Sequence, residues 1–153
     1  MIIKAFFTFL CGVLYVIGLL FGWDYQETSV YICIYACPLI CVFFALFSTY
    51  NAIRRKYNPF IVVNGGLSVL YIIITWSIFS YYSVLSVKDQ FNDCMRRLYE
   101  LSDTIGISYE ALNLLIYVVL LSLIVLFHLM EILVLDKKLK HKNHNVQNSH
   151  NTK

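Results

Sequence analysis

The sequence predicts an all-α integral membrane protein with four transmembrane helices and one amphipathic helix on the extracytoplasmic surface. Three observations carry that prediction. Apolar residues make up 59% of the 153 residues and charged residues 14%, against about 45–50% and about 25% in an ordinary soluble domain. The charges are clustered, which leaves charge-free runs at Ala5–Trp23, Thr28–Ile53, Tyr57–Val87 and Ala111–Met130. Each run approaches or exceeds the roughly 20 residues that a helix needs to cross the hydrocarbon layer.

The spans fall at about 5–23, 28–51, 59–86 and 110–134. The first has the outline of a signal peptide, but Phe21-Gly22-Trp23-Asp24 offers no small-x-small cleavage site, so the segment is expected to be retained. Asn58-Pro59 opens the third span as a capping residue with proline at the first helical position, where its missing N–H costs nothing. Residues 88–105 differ from the spans, because Phe91, Cys94, Leu98, Leu101 and Ile105 recur every three or four positions and form one apolar stripe. Inserting this segment would bury seven charged residues, each costing up to about 2.5–3.5 kcal/mol near the bilayer centre. It is therefore predicted to lie along the outer surface or to pack on a partner. Residues 1–136 form the transmembrane domain, and residues 137–153 read as a disordered basic cytoplasmic tail.

Loop charges set the orientation, since Lys and Arg near helix ends stay in the cytoplasm. Lys4, the Arg54-Arg55-Lys56 hairpin and Lys137, Lys138, Lys140, Lys142 and Lys153 fall on one side; Lys88, Arg96 and Arg97, offset by acids, fall on the other. Both termini are predicted to be cytoplasmic, in a multi-pass protein of the inner membrane. Arg54, Arg55, Lys56, Lys137, Lys138 and Lys140 are the candidates for contact with lipid headgroups or a partner.

Displaced by 84 positions, the chain matches itself without gaps. Lys4, Phe7, Leu14, Tyr15, Gly22, Tyr25, Ile32, Leu39, Ile40 and Phe43 fall on Lys88, Phe91, Leu98, Tyr99, Gly106, Tyr109, Ile116, Leu123, Ile124 and Phe127. The matched pair Gly22-x-x-Tyr25 and Gly106-x-x-Tyr109 precedes a span in each copy. A parallel repeat of this kind occurs in transport folds.

Intramembrane ionisable groups point to function because they are costly in lipid. His128 and Glu131, three apart on one face of the fourth span, form a candidate polar site. They suit a proton or ion site; alternatively they lie near the inner interface, where Glu131 pairs with Arg54, Arg55 or Lys56. The second alternative is preferred. Asn64, Gly65 and Gly66 form a notch for close helix packing, and Ser77 and Ser80, within a stripe that continues to Ser83 and Ser86, also suit helix contacts. Cys33, Cys37 and Cys41 share one face, but structural zinc favours a tight Cys-x-x-Cys turn, so they read as packing residues beside Pro38. Cys94 reads as apolar filling or as a cross-link between copies.

No phosphate loop, His-Glu-x-x-His motif, nucleophile elbow or paired carboxylates occur. The chain is expected to be non-enzymatic, with no cofactor, no metal, no nucleic acid and no small-molecule substrate. In layout it resembles phage holins: a short multi-spanning chain with a retained first helix, small hairpins and a basic tail. That resemblance implies a self-associating protein that permeabilises the inner membrane. An accessory subunit docked on a larger membrane complex is the alternative, and a small transporter or channel the third. The partners expected are lipid and either further copies or a larger complex.

Overall fold

The computed structural model describes residues 2–151, with side chains described for 2–134, 136 and 137. Five helices follow in order: α1 (Ile2–Phe21), α2 (Tyr25–Arg54), α3 (Asn58–Tyr82), α4 (Val87–Ile105) and α5, which begins at Tyr109 and runs to Asn151. No strand occurs among the described residues. Helices α1, α2, α3 and the Tyr109–Val134 part of α5 are long and apolar enough to cross a membrane.

Turn chemistry sits in the gaps between the first four helices and at the start of α5. Gly22 and Gly106 take φ of 73° and 76° and stop α1 and α4. Asp24 and Ser108 then cap α2 and α5, each accepting a hydrogen bond from the backbone N–H three residues on. Tyr57, and not Asn58, occupies the cap of α3, so Pro59 is the second helical residue. Nothing terminates α5 at residue 136. The segment 137–151 contains neither Gly nor Pro and continues the helix, where the sequence reading has a disordered tail.

The repeat is structural. Each copy is a helix, a left-handed glycine, a capped first turn and a wider π-helical stretch, at Val30–Ala36 and at Leu114–Leu120, 84 positions apart. Pro38 follows the first π stretch but has no counterpart after the second, so the widening belongs to the repeat rather than to the proline. Backbone contacts repeat too: Trp23 N–H donates to Gly18 C=O at 2.9 Å, and Ile107 N–H to Ser102 C=O at 3.1 Å. So do side chains, with Tyr25 donating to Cys11 Sγ at 3.4 Å and Tyr109 to Met95 Sδ at 2.6 Å.

The copies embrace reciprocally. Phe7 meets Tyr109 edge-on at 5.8 Å, and Phe91 meets Tyr25 edge-on at 6.1 Å. A cavity of about 100 Å³ lies between them, and its eighteen lining residues form nine pairs 84 apart, from Phe7 with Phe91 to Ile34 with Val118. Such reciprocity is the signature of a two-fold arrangement.

This embrace changes the course of α1. Gly18 packs on Thr28, Cys11 reaches Tyr25, Phe7 has crossed to Tyr109, and the Lys4 ammonium lies 3.9 Å from Glu110. The start of α1 thus sits beside the start of α5, not beside Arg55 and Asp136 as the loop charges imply. In α4, Phe91, Cys94 and Leu98 line the cavity while Leu101 and Ile105 are exposed; Gln90 and Ser102 are buried instead. The buried face is therefore rotated from the predicted stripe. Gln90 is satisfied by accepting from Tyr35 and donating to the carbonyls of Tyr82 and Leu85.

Candidate functional site

Farther along α2, small residues Ala45, Ser48 and Ala52 are fully buried, and they let α3 and α5 pack close to the helix. Polar side chains fill the junction. Asn64 Nδ2 of α3 donates to Ser48 Oγ of α2 at 3.0 Å, and Ser48 Oγ donates to Glu131 Oε2 of α5 at 3.0 Å. His128 Nδ1 lies 3.3 Å from the same carboxylate oxygen. Beside this chain, Thr49 and Ser68 share a hydrogen bond across α2 and α3. Tyr71 and Phe127 stand edge-on to the imidazole at 6.2 and 5.3 Å.

The cluster is closed to solvent. His128 and Asn64 are 0% exposed and Glu131 is 6% exposed. Two of its atoms, Asn64 Oδ1 and His128 Nε2, have no hydrogen-bond partner among the described residues. A buried polar atom left unpaired costs about 1–3 kcal/mol, so the site holds unspent binding capacity.

Glu131 pairs with His128 and Ser48 rather than with the basic hairpin, contrary to the expectation from its place near the inner interface. Arg55 turns to Asp136 at 2.5 Å and donates to the Ile132 carbonyl at 3.1 Å. Asp136 lies five residues beyond Glu131, more than one turn nearer the helix end, so it meets the hairpin first. Glu131 keeps His128 and Ser48 as partners. Arg54, Arg55 and Lys56 border an open pocket with Asp136, and Lys137 is exposed. The side chains of Lys138 and Lys140 lie outside the described residues.

The packing candidates divide. Asn64 enters the cluster, whereas a Cβ on Gly65 or Gly66 would meet nothing within 4 Å. Among the described residues, no helix packs into that notch. Ser77 and Ser80 are exposed, and Ser77 Oγ donates to its own helix at Ile73. Both lie off the buried face of α3, which carries Asn64, Ser68, Thr75 and Tyr82. Gly18 is the glycine of close approach, since a Cβ there would sit 2.4 Å from Thr28 Oγ1. Ser48 and Gly18 take part in these contacts although neither is among the expected site residues. The small positions Ala45, Ser48 and Ala52, three and four apart, signal the Ser48 face; Gly18 carries no local signal.

All five cysteines are free. Cys33 and Cys94 line the cavity, and Cys94 faces Tyr117 at 3.8 Å, turned inward rather than toward another copy. Among the described residues, no group of three or more His, Cys, Asp or Glu side chains is placed to hold a metal ion. The fold and site define a class: an all-helical chain, with four helices suited to a membrane, carrying an ionisable pair inside its helix packing. No family model, curated protein or solved structure matches the chain.

Proposed function

We propose that this chain is a non-enzymatic multi-pass protein of the inner membrane that handles ions at the His128–Glu131 cluster, in the manner of a small channel or transporter. One observation carries the reading: an ionisable pair, closed to solvent, sits where three apolar helices meet. Charged groups in that setting are expensive in lipid and persist where they bind or relay an ion. The repeat supports the same class, because internally repeated folds recur among transporters. The inner ends of α2 and α3, with Arg54, Arg55 and Lys56, face the cytoplasm by the charge rule. Full-length protein in liposomes should pass charge under an imposed potential, and replacing His128 with Gln should reduce that flux at least tenfold. Flux equal to protein-free liposomes rejects the reading.

A second reading has an observation of its own. The open face at Gly65 and Gly66 suits another helix, and further copies would fill it, as the holin-like layout implies. Cysteine introduced at Gly65 in a background lacking the native cysteines should then cross-link copies in the membrane. Without that cross-link, self-association through this face is rejected.

A further inference from the structure

We propose that α1 does not cross the bilayer but lies along its outer leaflet, with one apolar face among the acyl chains and the Lys4 end outside. This goes beyond the ion-handling reading and does not depend on it. Length and apolarity suit α1 to crossing; its contacts do not.

Helices α2 and α5 run parallel and in register. Their first turns wall one cavity, Ser48 reaches Glu131 farther along, and Arg55 meets Asp136 at the far end. Helix α3 starts at that far hairpin and returns the chain to the level of the first turns. There Gln90 of α4 donates to the Tyr82 carbonyl at the end of α3, and Phe91 meets Tyr25 at the start of α2. Helix α4 ends at Gly106, immediately before α5. Both ends of α4 therefore lie at one level.

Helix α1 is the counterpart of α4 84 positions earlier, and its contacts take the same form. Gly18 packs on Thr28, Cys11 accepts from Tyr25, Phe7 meets Tyr109, and Lys4 lies 3.9 Å from Glu110. From Gly18 to Lys4 is about 21 Å of helix axis. An upright α1 descending beside α2 would carry Lys4 to the level of Val42. Instead α1 packs on Tyr25–Ser29 and Tyr109–Asn113, each only about 6 Å tall. Helix α1 thus runs across the bundle, from the start of α2 to the start of α5.

The exposed face of α1 identifies what covers it. Ile2, Phe6, Phe9, Val13, Val16 and Leu20 recur every three or four positions and are 39–84% exposed. No charged residue falls between Lys4 and Asp24. Such a face is too apolar for water, and a helix in the plane of the interface sinks it about 5–10 Å into the boundary of headgroups and acyl chains. Helix α4 exposes Lys88, Arg96, Arg97, Glu100 and Asp103 and keeps to the headgroups. Trp23, half-exposed after α1, stands where an aromatic anchor belongs. The charge rule is kept, because Arg54, Arg55 and Lys56 remain at the inner end and Lys4 outside is offset by Glu110.

The test uses the full-length chain with the five native cysteines replaced by Ala and one new cysteine introduced at an exposed position. In spheroplasts, a membrane-impermeant maleimide should label Lys4→Cys and Lys88→Cys before permeabilisation and Arg54→Cys only after it. Lys4→Cys labelled in step with Arg54→Cys would overturn the proposal. Arg54→Cys labelled before permeabilisation would overturn the assignment to the outer leaflet. Spin labels at Phe6→Cys, Val13→Cys and Leu20→Cys in lipid vesicles should report one common depth, to within about 6 Å; a progression of about 21 Å from Leu20 to Phe6 would overturn the proposal. Should the cysteine-free chain fail to fold, an epitope placed ahead of Met1 on the native sequence carries the same test. Antibody bound in spheroplasts supports the proposal, and antibody bound only after permeabilisation overturns it.

Discussion

Phe91 stands edge-on to Tyr25 at 6.1 Å, and the residues 84 positions away from each, Phe7 and Tyr109, repeat that contact at 5.8 Å with the roles of the two copies exchanged. This crossed pair of aromatic contacts ties the first helical unit to the second. It explains why α1 leaves α2 after its first turns and reaches α5. It also explains why the cavity walls come in matched pairs.

Close approach at Gly18 predicts an asymmetric response to alanine. Gly18→Ala places a methyl 2.4 Å from Thr28 Oγ1 and 2.8 Å from the rigid Trp23 carbonyl, an overpacking cost of about 1–3 kcal/mol. Gly65→Ala enters open space in a helix, and should be neutral or stabilising by roughly 0.5–1 kcal/mol. Thermal melting of the two variants in the same lipid mimic checks the contrast.

Lys56 sits at φ 53° in the α2–α3 turn, a left-handed conformation that costs an ordinary side chain about 1–2 kcal/mol. Lys56→Gly should relieve most of that cost and raise the melting temperature. Lys56→Ala, which keeps the Cβ, should not.

Asp136, rather than Glu131, should couple to the hairpin. The Arg55 guanidinium is largely buried while the Asp136 carboxylate is about half exposed, so a double-mutant cycle should return about 0.2–1 kcal/mol, the range of partly solvated pairs. The same cycle between Arg55 and Glu131 should return nothing measurable.

Asp93 gives α4 an acid-sensitive hold. The Arg97 guanidinium, with Arg96 beside it, keeps the Asp93 carboxyl below its ordinary value of 3.8 in spite of some desolvation. A carboxyl depressed in the folded state contributes stability above its unfolded value and loses it as pH falls through the folded value. Acidification below about pH 4 should therefore loosen α4, read as faster amide exchange over Val87–Ile105. Asp93→Asn should show the looser state already at neutral pH.

The four long apolar helices were legible because charge is so expensive in hydrocarbon that its gaps mark such helices. The repeat was legible at Gly22 and Gly106, where a left-handed turn demands glycine, and at Tyr25 and Tyr109, which face the cavity. The partner of Glu131 was not. Whether an acid on α5 meets Arg55 or Ser48 depends on the axial offset and rotation of two helices, and hydropathy fixes neither. The path of α1 was hidden for the same reason, because Phe7 and Tyr109 are 102 positions apart in the chain and their contact belongs to the pairing of two units.

The central claim, that the His128–Glu131 cluster handles ions rather than merely joining helices, is tested most directly by Glu131→Gln in the full-length chain. Flux into liposomes and melting temperature are measured on the same preparation. Gln is isosteric and still accepts from Ser48, so the account predicts that flux falls at least tenfold while the melting temperature is nearly kept. Unchanged flux, or flux and folding lost together, would contradict it.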